Sequence, residues 1–171
     1  CHSPSTGVLK GSIGAGATTI SYTDLFETDL IVLFGSQVAN AQPVMMKYLY
    51  LARKRGVKIA VVNPLREPGL ERYWVPSNVE SALFGTLVAE HFFGVHTGGD
   101  TAFINGVLKI LARSGGLDRA FIDDKAVGWD ELEVALDTQS LDDLERLSGA
   151  SRADMERFAE LYASARSAIL V

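Results

Sequence analysis

Two short apolar runs on either side of an amphipathic helix most constrain the fold of this chain. The runs are LIVLFG (Leu30 to Gly35) and KIAVV (Lys58 to Val62), and such runs, apolar rather than alternating, are typical of parallel strands buried on both faces. Between them, Pro43 to Gly56 predicts a helix with proline near its start, cations in its last turn and glycine after it. A strand, a helix and a strand within about thirty-five residues indicate a βαβ unit with a right-handed crossover.

The rest of the sequence predicts further strands and helices. VAEHFFGV (88–95) indicates a third short strand, and SAILV (167–171) indicates the start of another. Residues 63–78 have no periodicity and predict an irregular segment. Predicted helices cover residues 3–10, 100–115, 118–124, 129–136, 141–147 and 151–166. We therefore expect an α/β fold: a three-layer Rossmann-like parallel sheet with helices on both faces and a helical C-terminal part, in a single domain over residues 1–171.

Charge and hydropathy exclude several classes of partner. The chain has 16 lysine and arginine residues against 21 aspartate and glutamate residues, for a net charge of −5. An acidic surface disfavours binding to nucleic acid or to an anionic membrane, and the longest apolar runs are too short to span a bilayer. The chain begins on cysteine rather than methionine, without a signal-peptide pattern. We expect a cytoplasmic protein whose true N-terminus is missing.

The loop after the first predicted strand is a candidate ligand site, because ligands of open parallel sheets bind beyond the carboxyl ends of the strands. The loop GSQVANAQP begins with Gly35 and Ser36, which allow close approach of the backbone, and the helix after it offers N–H groups to phosphate. The GxGxxG fingerprint of dinucleotide sites is absent, since the nearest string, GAGATT, has threonine at the third glycine and no strand before it. Spacing alone supports an ordinary strand–helix loop as well as it supports a ligand-binding loop.

Two further loops lie at corresponding positions. In NPLRE, after the second strand, Arg66 is placed to hold a phosphate through paired hydrogen bonds, and a solvated surface charge is an equal alternative. In HTGGD, Asp100 follows two glycines, and a carboxylate there can accept hydrogen bonds from N1–H and N2–H of guanine. Asp100 is also predicted to be the N-cap of the helix that comes next, and one carboxylate can serve both purposes.

The chain starts with Cys1, its only cysteine, followed by His2 and a predicted helix start. A thiol just before a helix is favoured as thiolate, the form that binds metals and attacks electrophiles. A neighbouring histidine can relay protons near neutral pH. An isolated Cys-His pair is more often without function, so spacing alone assigns it no role.

Several segments together resemble the molybdopterin-dependent oxidoreductases of the formate dehydrogenase type, in particular the formate-dehydrogenase-like alpha subunits. CHSPS resembles the family segment in which cysteine or selenocysteine precedes His-x-Pro-Ser. TDLIVLFGSQVANAQPVMM resembles the family loop with DLI, GSN and HP, and RGVKIAVVNPLRE resembles the loop GAKIIVxDPR. The stretches that begin GGDTAFING and LSGASRAD match as well, so the resemblance covers essentially all 171 residues in order.

The resemblance implies a role for each candidate residue. Cys1 would be the sulfur ligand of molybdenum or tungsten, and His2 would accept or relay a substrate proton. The loops would hold one molybdopterin guanine dinucleotide, of which the family binds two around each metal. The pyrophosphate and sugar would lie against Gly35, Ser36, Gln37, Asn40 and Ala41, the edge of the nucleotide against Asn63, Pro64 and Arg66, and the guanine against Gly98, Gly99 and Asp100.

Departures from the family pattern restrict the roles that the resemblance can assign. Family members are much longer and commonly hold a [4Fe–4S] cluster on upstream cysteines, so such a cluster would belong to a missing upstream part. Asn63 stands where many relatives have aspartate, and Ser3 replaces the glycine of several formate dehydrogenases. The arginine of the formate site has no counterpart in this segment. The resemblance therefore leaves the substrate open.

Two hypotheses arise from the sequence. In the first, the chain is the first dinucleotide-binding domain of a molybdenum oxidoreductase, inactive alone, whose partners are a small-molecule substrate and the remaining domains of the same chain. Its exposed domain interface then predicts self-association. In the second, it is a stand-alone Rossmann-like module that binds a nucleotide or a partner protein without catalysis.

Overall fold

A parallel sheet forms the centre of the fold. The computed structural model describes residues 3–75 and 79–171, and within them the sheet has four strands in the order β3–β2–β1–β4. The strands are β1 (Leu30–Phe34), β2 (Lys58–Asn63), β3 (His91–Gly94) and β4 (Ala168–Leu170). Every neighbouring pair is parallel, with Leu30 opposite both Lys58 and Ala168. The predicted parallel sheet is confirmed, including its third strand and the strand within SAILV.

Helices cover both faces of this sheet. In the described residues they are α1 (Ser3–Ile13), α2 (Val38–Ala41), α3 (Pro43–Lys54), α4 (Pro68–Glu71), α5 (Val79–Phe84), α6 (Asp100–Ser114), α7 (Arg119–Lys125), α8 (Trp129–Asp137), α9 (Leu141–Ser148) and α10 (Arg152–Ala163). A 3₁₀ turn at Asp24–Phe26 precedes β1. None of the helices in residues 3–75 and 79–171 has the length and apolar character needed to cross a membrane.

Two hydrophobic cores separate the three layers. Leu30 and Val32 of β1 belong to the core under α6, α9 and α10, where Phe93, Phe103 and Phe158 pack with ring centroids 5.0–6.1 Å apart. Ile31 and Leu33 of β1 belong to the core under α3. Successive side chains of a strand point to opposite faces, so a strand that is buried on both faces is apolar at every position.

The helices differ from the prediction in several places. α1 continues to Ile13 instead of ending at Lys10, because Gly11 lies in an exposed helix in which it weakens the helix without blocking it. α4 and α5 lie in or next to the stretch predicted to be irregular, and its residues 76–78 lie outside the described residues. Ser81 of α5 is buried, and its hydroxyl accepts the N–H of Val75 at 2.9 Å, so an apolar periodicity could not reveal this helix.

The predicted N-cap role of Asp100 is wrong. Gly99 is the N-cap of α6, and Asp100 is already its first helical residue. The Gly99 carbonyl accepts the N–H of Phe103 at 3.0 Å, so the helix begins at Asp100. If Asp100 were the cap, the helix would begin one residue later. Elsewhere side chains cap the helices: Asp118, Ser140 and Ser151 each accept a backbone N–H at 3.0–3.1 Å.

A buried lysine ties the end of α8 to α6. The Lys109 ammonium is almost fully buried and donates to the carbonyls of Leu136 at 2.7 Å, Asp137 at 3.3 Å and Gln139 at 2.7 Å. All three ammonium hydrogens therefore have an acceptor, and the positive charge lies at the negative end of the α8 dipole. This side chain satisfies carbonyls that the end of a helix leaves without partners.

We expect Lys109→Met to lower the free energy of unfolding by about 1–3 kcal/mol, because buried carbonyls lose their donor. Urea denaturation followed by circular dichroism would measure it. Lys125→Met is the matched control, since the Lys125 ammonium is exposed and pairs with its neighbour Asp124. Equal denaturation midpoints for the two variants would contradict the role of Lys109.

An ion pair joins β1 and β4 at the amino ends of the strands. Arg166 donates from Nε and Nη2 to the two carboxylate oxygens of Asp29, both at 3.2 Å, and its backbone N–H donates to the same carboxylate at 3.0 Å. These hydrogen bonds from the Arg166 side chain and backbone hold the pKa of Asp29 below its ordinary value. The ion pair therefore supports the pairing of β4 with β1.

We expect Asp29→Asn to lower the melting temperature at pH 7 relative to the unsubstituted chain. Because the folded-state pKa of Asp29 is lowered, its contribution is present above the unfolded pKa of about 3.9 and is lost as the pH falls through the folded-state value. The difference in melting temperature should therefore shrink below about pH 4. Asp123→Asn, at an exposed carboxylate of α7, is the control, and a difference that persisted unchanged at pH 2 would contradict the ion pair.

Candidate functional site

The loops that come after β1, β2 and β3 lie at one edge of the sheet, because the three strands are parallel neighbours. The Gly35 N–H donates to the Val62 carbonyl at 3.0 Å, which joins the ends of β1 and β2. The Val95 N–H donates to the Asn63 carbonyl at 3.4 Å, which joins the ends of β2 and β3. The structure thus brings together the three loops that the sequence singles out.

The strand order places a switch in direction next to the first loop. From β1 the chain proceeds to β2 and β3 on one side, whereas β4 lies on the other side of β1. Beyond β4, the Val171 carbonyl accepts the Phe34 N–H at 2.8 Å. Loops diverge at such a point, and open α/β sheets bind their ligands in the crevice that results.

The first loop presents backbone donors beside an open glycine. Gly35 has φ of +57°, and a Cβ at this residue would meet nothing within 4 Å, so a ligand can reach the backbone. Within the described part of the chain, the N–H groups of Ser36 and Gln37 make no hydrogen bond to backbone, whereas those of Asn40 and Ala41 both donate to the Gln37 carbonyl. Two of the loop amides are therefore available to an anion.

The side chain of Gln37 connects the first loop to the second. Its Nε2 donates to a carboxylate oxygen of Glu67 at 3.1 Å. Glu67 is not among the residues that the sequence predicts for the site. Its carboxylate adds a negative charge at the carboxyl edge of the sheet. A phosphate at the first loop would therefore find its donors in the backbone rather than in the Gln37 side chain.

The second loop is held by two internal contacts. Asn63 is buried, and its Nδ2 donates to the Leu65 carbonyl at 3.0 Å across the exposed Pro64. The guanidinium of Arg66 pairs with Glu71 at 3.2 Å and lies 4.4 Å from the centre of the Phe92 ring. Arg66 would have to exchange its carboxylate partner for a phosphate.

The third loop combines an open glycine with a closely packed one. A Cβ at Gly98 would meet nothing within 4 Å, whereas a Cβ at Gly99 would lie 2.6 Å from the Ser148 carbonyl oxygen. Asp100 is half-buried at the start of α6, and its carboxylate forms no hydrogen bond or ion pair with any side chain of residues 3–75 or 79–171. Both of its oxygens are therefore available to a donor from outside.

A cavity of about 880 Å³ adjoins the first loop beside β4. Its walls are mostly apolar and include Leu9 and Ile13 of α1, Gln42 at the end of the first loop and Ala168 of β4. α1 has no buried residue of its own. The cavity therefore connects the helix that begins at Ser3 with the loop that begins at Gly35.

Cys1 and His2, the predicted metal ligand and proton relay, lie outside the described residues. Among the residues that the structure does describe, no group of three or more His, Cys, Asp or Glu side chains is arranged to hold a metal ion. Sequence reasoning also missed the contact of the third loop with Ser148 and Gly149. Gly149 is recognisable in sequence as a residue that ends a helix, but no local pattern indicates which loop it touches.

Comparison with known proteins relates the whole chain to longer oxidoreductases. No model of a known protein family matches. Protein YdeP of Escherichia coli K12 is 34% identical over 182 aligned positions, which include 99% of this chain and 24% of YdeP. Formate dehydrogenase H of the same organism is 24% identical over 170 positions, which include 99% of this chain and 22% of the relative. The chain thus spans about a quarter of the length of these relatives.

A solved structure has the same fold. Acetylene hydratase from Pelobacter acetylenicus superposes with a TM-score of 0.73 at 21% sequence identity, over 99% of this chain and 21% of that one. The likeness confirms the α/β architecture that the sequence predicts. The sequence relatives, which also include the alpha subunit of an F420-dependent formate dehydrogenase of Methanococcus maripaludis at 25% identity, confirm the resemblance of this chain to the molybdopterin-dependent oxidoreductases of the formate dehydrogenase type.

Proposed function

We propose that this chain forms one side of the binding site for a molybdopterin guanine dinucleotide in a longer oxidoreductase, and that Cys1 is the protein ligand of the metal. One observation carries the proposal: the strand order β3–β2–β1–β4 brings three loops to one edge of the sheet, beside the point where the chain changes direction. The family relationship supports the identity of the ligand.

The first loop would bind the pyrophosphate. The free N–H groups of Ser36 and Gln37 are suitable donors for phosphate oxygens, and the open Gly35 lets the group approach the backbone. Asn40 and Ala41 would line the sugar through their exposed side chains, because their N–H groups are already used. The donor set therefore fits an anionic group without a cationic side chain from this loop.

The second and third loops would bind the nucleoside. Asn63, Pro64 and Arg66 would edge the nucleotide, and Gly98 and Gly99 would border the base. Both oxygens of Asp100 are available, which matches the adjacent N1–H and N2–H donors of guanine. Adenine offers no such pair of donors, so this carboxylate would select guanine over adenine.

The metal end would lie near α1. The helix starts at Ser3, two residues after Cys1, and its Leu9 and Ile13 line the same cavity as Gln42 at the end of the first loop. The Cys1 thiolate would bind molybdenum or tungsten, and His2 would accept or relay the substrate proton. The bound metal and its pterins would supply the two-electron oxidation or reduction of a small substrate.

The longer protein would supply what this chain lacks. The remaining domains of the same polypeptide would provide the second dinucleotide site and, on upstream cysteines, a [4Fe–4S] cluster. As a single domain, the first dinucleotide-binding domain of that protein, this chain would be inactive alone because it would form only one side of the cofactor site. The outer edge of β4 and the adjoining apolar cavity are the surfaces that we propose those domains cover.

We expect the chain to bind GDP, a proxy for the nucleotide end of the cofactor, more tightly than ADP in isothermal titration calorimetry. Asp100→Ala should weaken GDP binding about ten-fold or more, through loss of charge-assisted hydrogen bonds, and should leave ADP unaffected. Asp130→Ala is the matched control, since Asp130 lies in the first turn of α8. Cys1→Ser should leave GDP affinity unchanged. Equal affinities for GDP and ADP would contradict the site.

We also expect the chain to self-associate in the presence of a reductant, with an average mass by light scattering that rises with concentration. Leu170→Lys should reduce the association, because Leu170 is an exposed residue of β4 and lysine blocks pairing at an edge strand. Phe121→Lys, at an equally exposed apolar residue of α7, should not. A monomer at every concentration would contradict this surface.

A further inference from the structure

The third loop of the site rests on the turn between α9 and α10, here called the α9–α10 turn (Ser148–Ser151). The His96 N–H donates to the Ser148 carbonyl at 2.6 Å, and the His96 carbonyl accepts the Gly99 N–H at 2.8 Å. The Ser148 carbonyl also lies against Gly99, where a Cβ would come within 2.6 Å of it. Only glycine allows the loop to lie this close to the turn.

A second glycine allows the same approach from the other side. Gly149 ends α9 in the left-handed region, with φ of +75°. A Cβ at this residue would lie 2.5 Å from Cγ and Nε2 of the His96 imidazole, well inside contact distance. The loop and the turn therefore interlock through Gly99 on one side and Gly149 on the other.

The α9–α10 turn is the firmer of the two partners. Ser148 is fully buried, and its hydroxyl donates to the Glu145 carbonyl at 3.2 Å and accepts the Ala150 N–H at 3.1 Å. A carboxylate oxygen of Glu145 accepts the Arg152 N–H at 3.0 Å, which joins α9 to α10. The loop, by contrast, exposes His96, Thr97 and Gly98 to solvent. A rigid turn under an exposed loop determines where the loop lies.

We propose that the α9–α10 turn positions the segment Gly98–Asp100 for the base of the nucleotide, and that Ser148 and Gly149 are positioning residues of the site. The inference rests on the proposed function, in which the Asp100 carboxylate contacts guanine. α6 begins where the loop leaves the turn, so a shift of the loop at Gly99 moves the carboxylate of the next residue.

The test compares Gly149→Ala with Gly115→Ala. Gly115 ends α6 with nearly the same φ, +73°, but a Cβ there would meet nothing within 4 Å. Both variants carry the same backbone strain, and only Gly149→Ala collides with His96. We expect Gly149→Ala alone to shift the amide resonances of Gly98, Gly99 and Asp100 and to weaken GDP binding about five-fold or more.

The double variant His96→Ala/Gly149→Ala distinguishes a displaced loop from a general folding defect. It removes the imidazole that the methyl group of the new alanine would contact, and it keeps the hydrogen bond from the N–H of residue 96 to the carbonyl of residue 148. We expect it to be as stable as Gly115→Ala and to restore the wild-type amide resonances of residues 98–100. The proposal is overturned if Gly149→Ala and Gly115→Ala have the same loop resonances and the same GDP affinity. It is also overturned if the amide resonances of residues 98–100 stay shifted in the double variant. If the unsubstituted chain fails to bind GDP, the proposed function fails, and the resonances alone decide this inference.

Discussion

The arrangement of the molecule depends on β1, which is paired on both sides and buried on both faces. β2 and β4 form parallel ladders with it, and its residues Leu30 to Leu33 are fully buried. A strand enclosed in this way has one register, because a slip of one residue would exchange the two cores. Since its neighbours run parallel to it, every loop after a strand comes to the same edge. The candidate site is therefore a consequence of β1 before any polar side chain is considered.

The two edges of the sheet have different characters. At the amino ends of β1 and β4, the Asp29 carboxylate accepts three hydrogen bonds from Arg166. At the carboxyl edge, the amides of Ser36 and Gln37 and the carboxylate of Asp100 have no such partners in the described residues. Groups that are satisfied contribute to stability, whereas groups left free are available for ligands. This contrast supports the proposal that the carboxyl edge is the side that binds the cofactor.

Much of this fold can be predicted from the sequence, because its strongest signals are local. The apolar runs of β1 and β2, the cations at the end of α3 and the serine that caps α10 each act within a few residues of themselves. The error at Asp100 is local: the residue has the chemistry of a cap, yet the Gly99 carbonyl accepts the N–H of Phe103 and the helix begins at Asp100 itself. Other features escape prediction because they depend on contacts between residues that are far apart in sequence. Glu67 is 30 positions from its partner Gln37, and the Leu136 carbonyl is 27 positions from Lys109, so no local pattern predicts either contact. The roles of the site residues in ligand binding, including those of Cys1 and His2, stay predictions.

The position of β4 has a consequence for the order in which the molecule assembles. Thr28 and Ser167, which hydrogen-bond beside the β1–β4 ladder, are 139 positions apart in sequence. Closing a loop of this length costs more entropy than forming a local contact, although the cost grows slowly with length, and contacts between residues distant in sequence form more slowly. We infer that β1, α3 and β2 form first and that β4 docks late. The crevice beside β4 is then completed after the loops of β1 and β2 are already in place, so a nascent chain would expose half of its ligand edge before the other half exists.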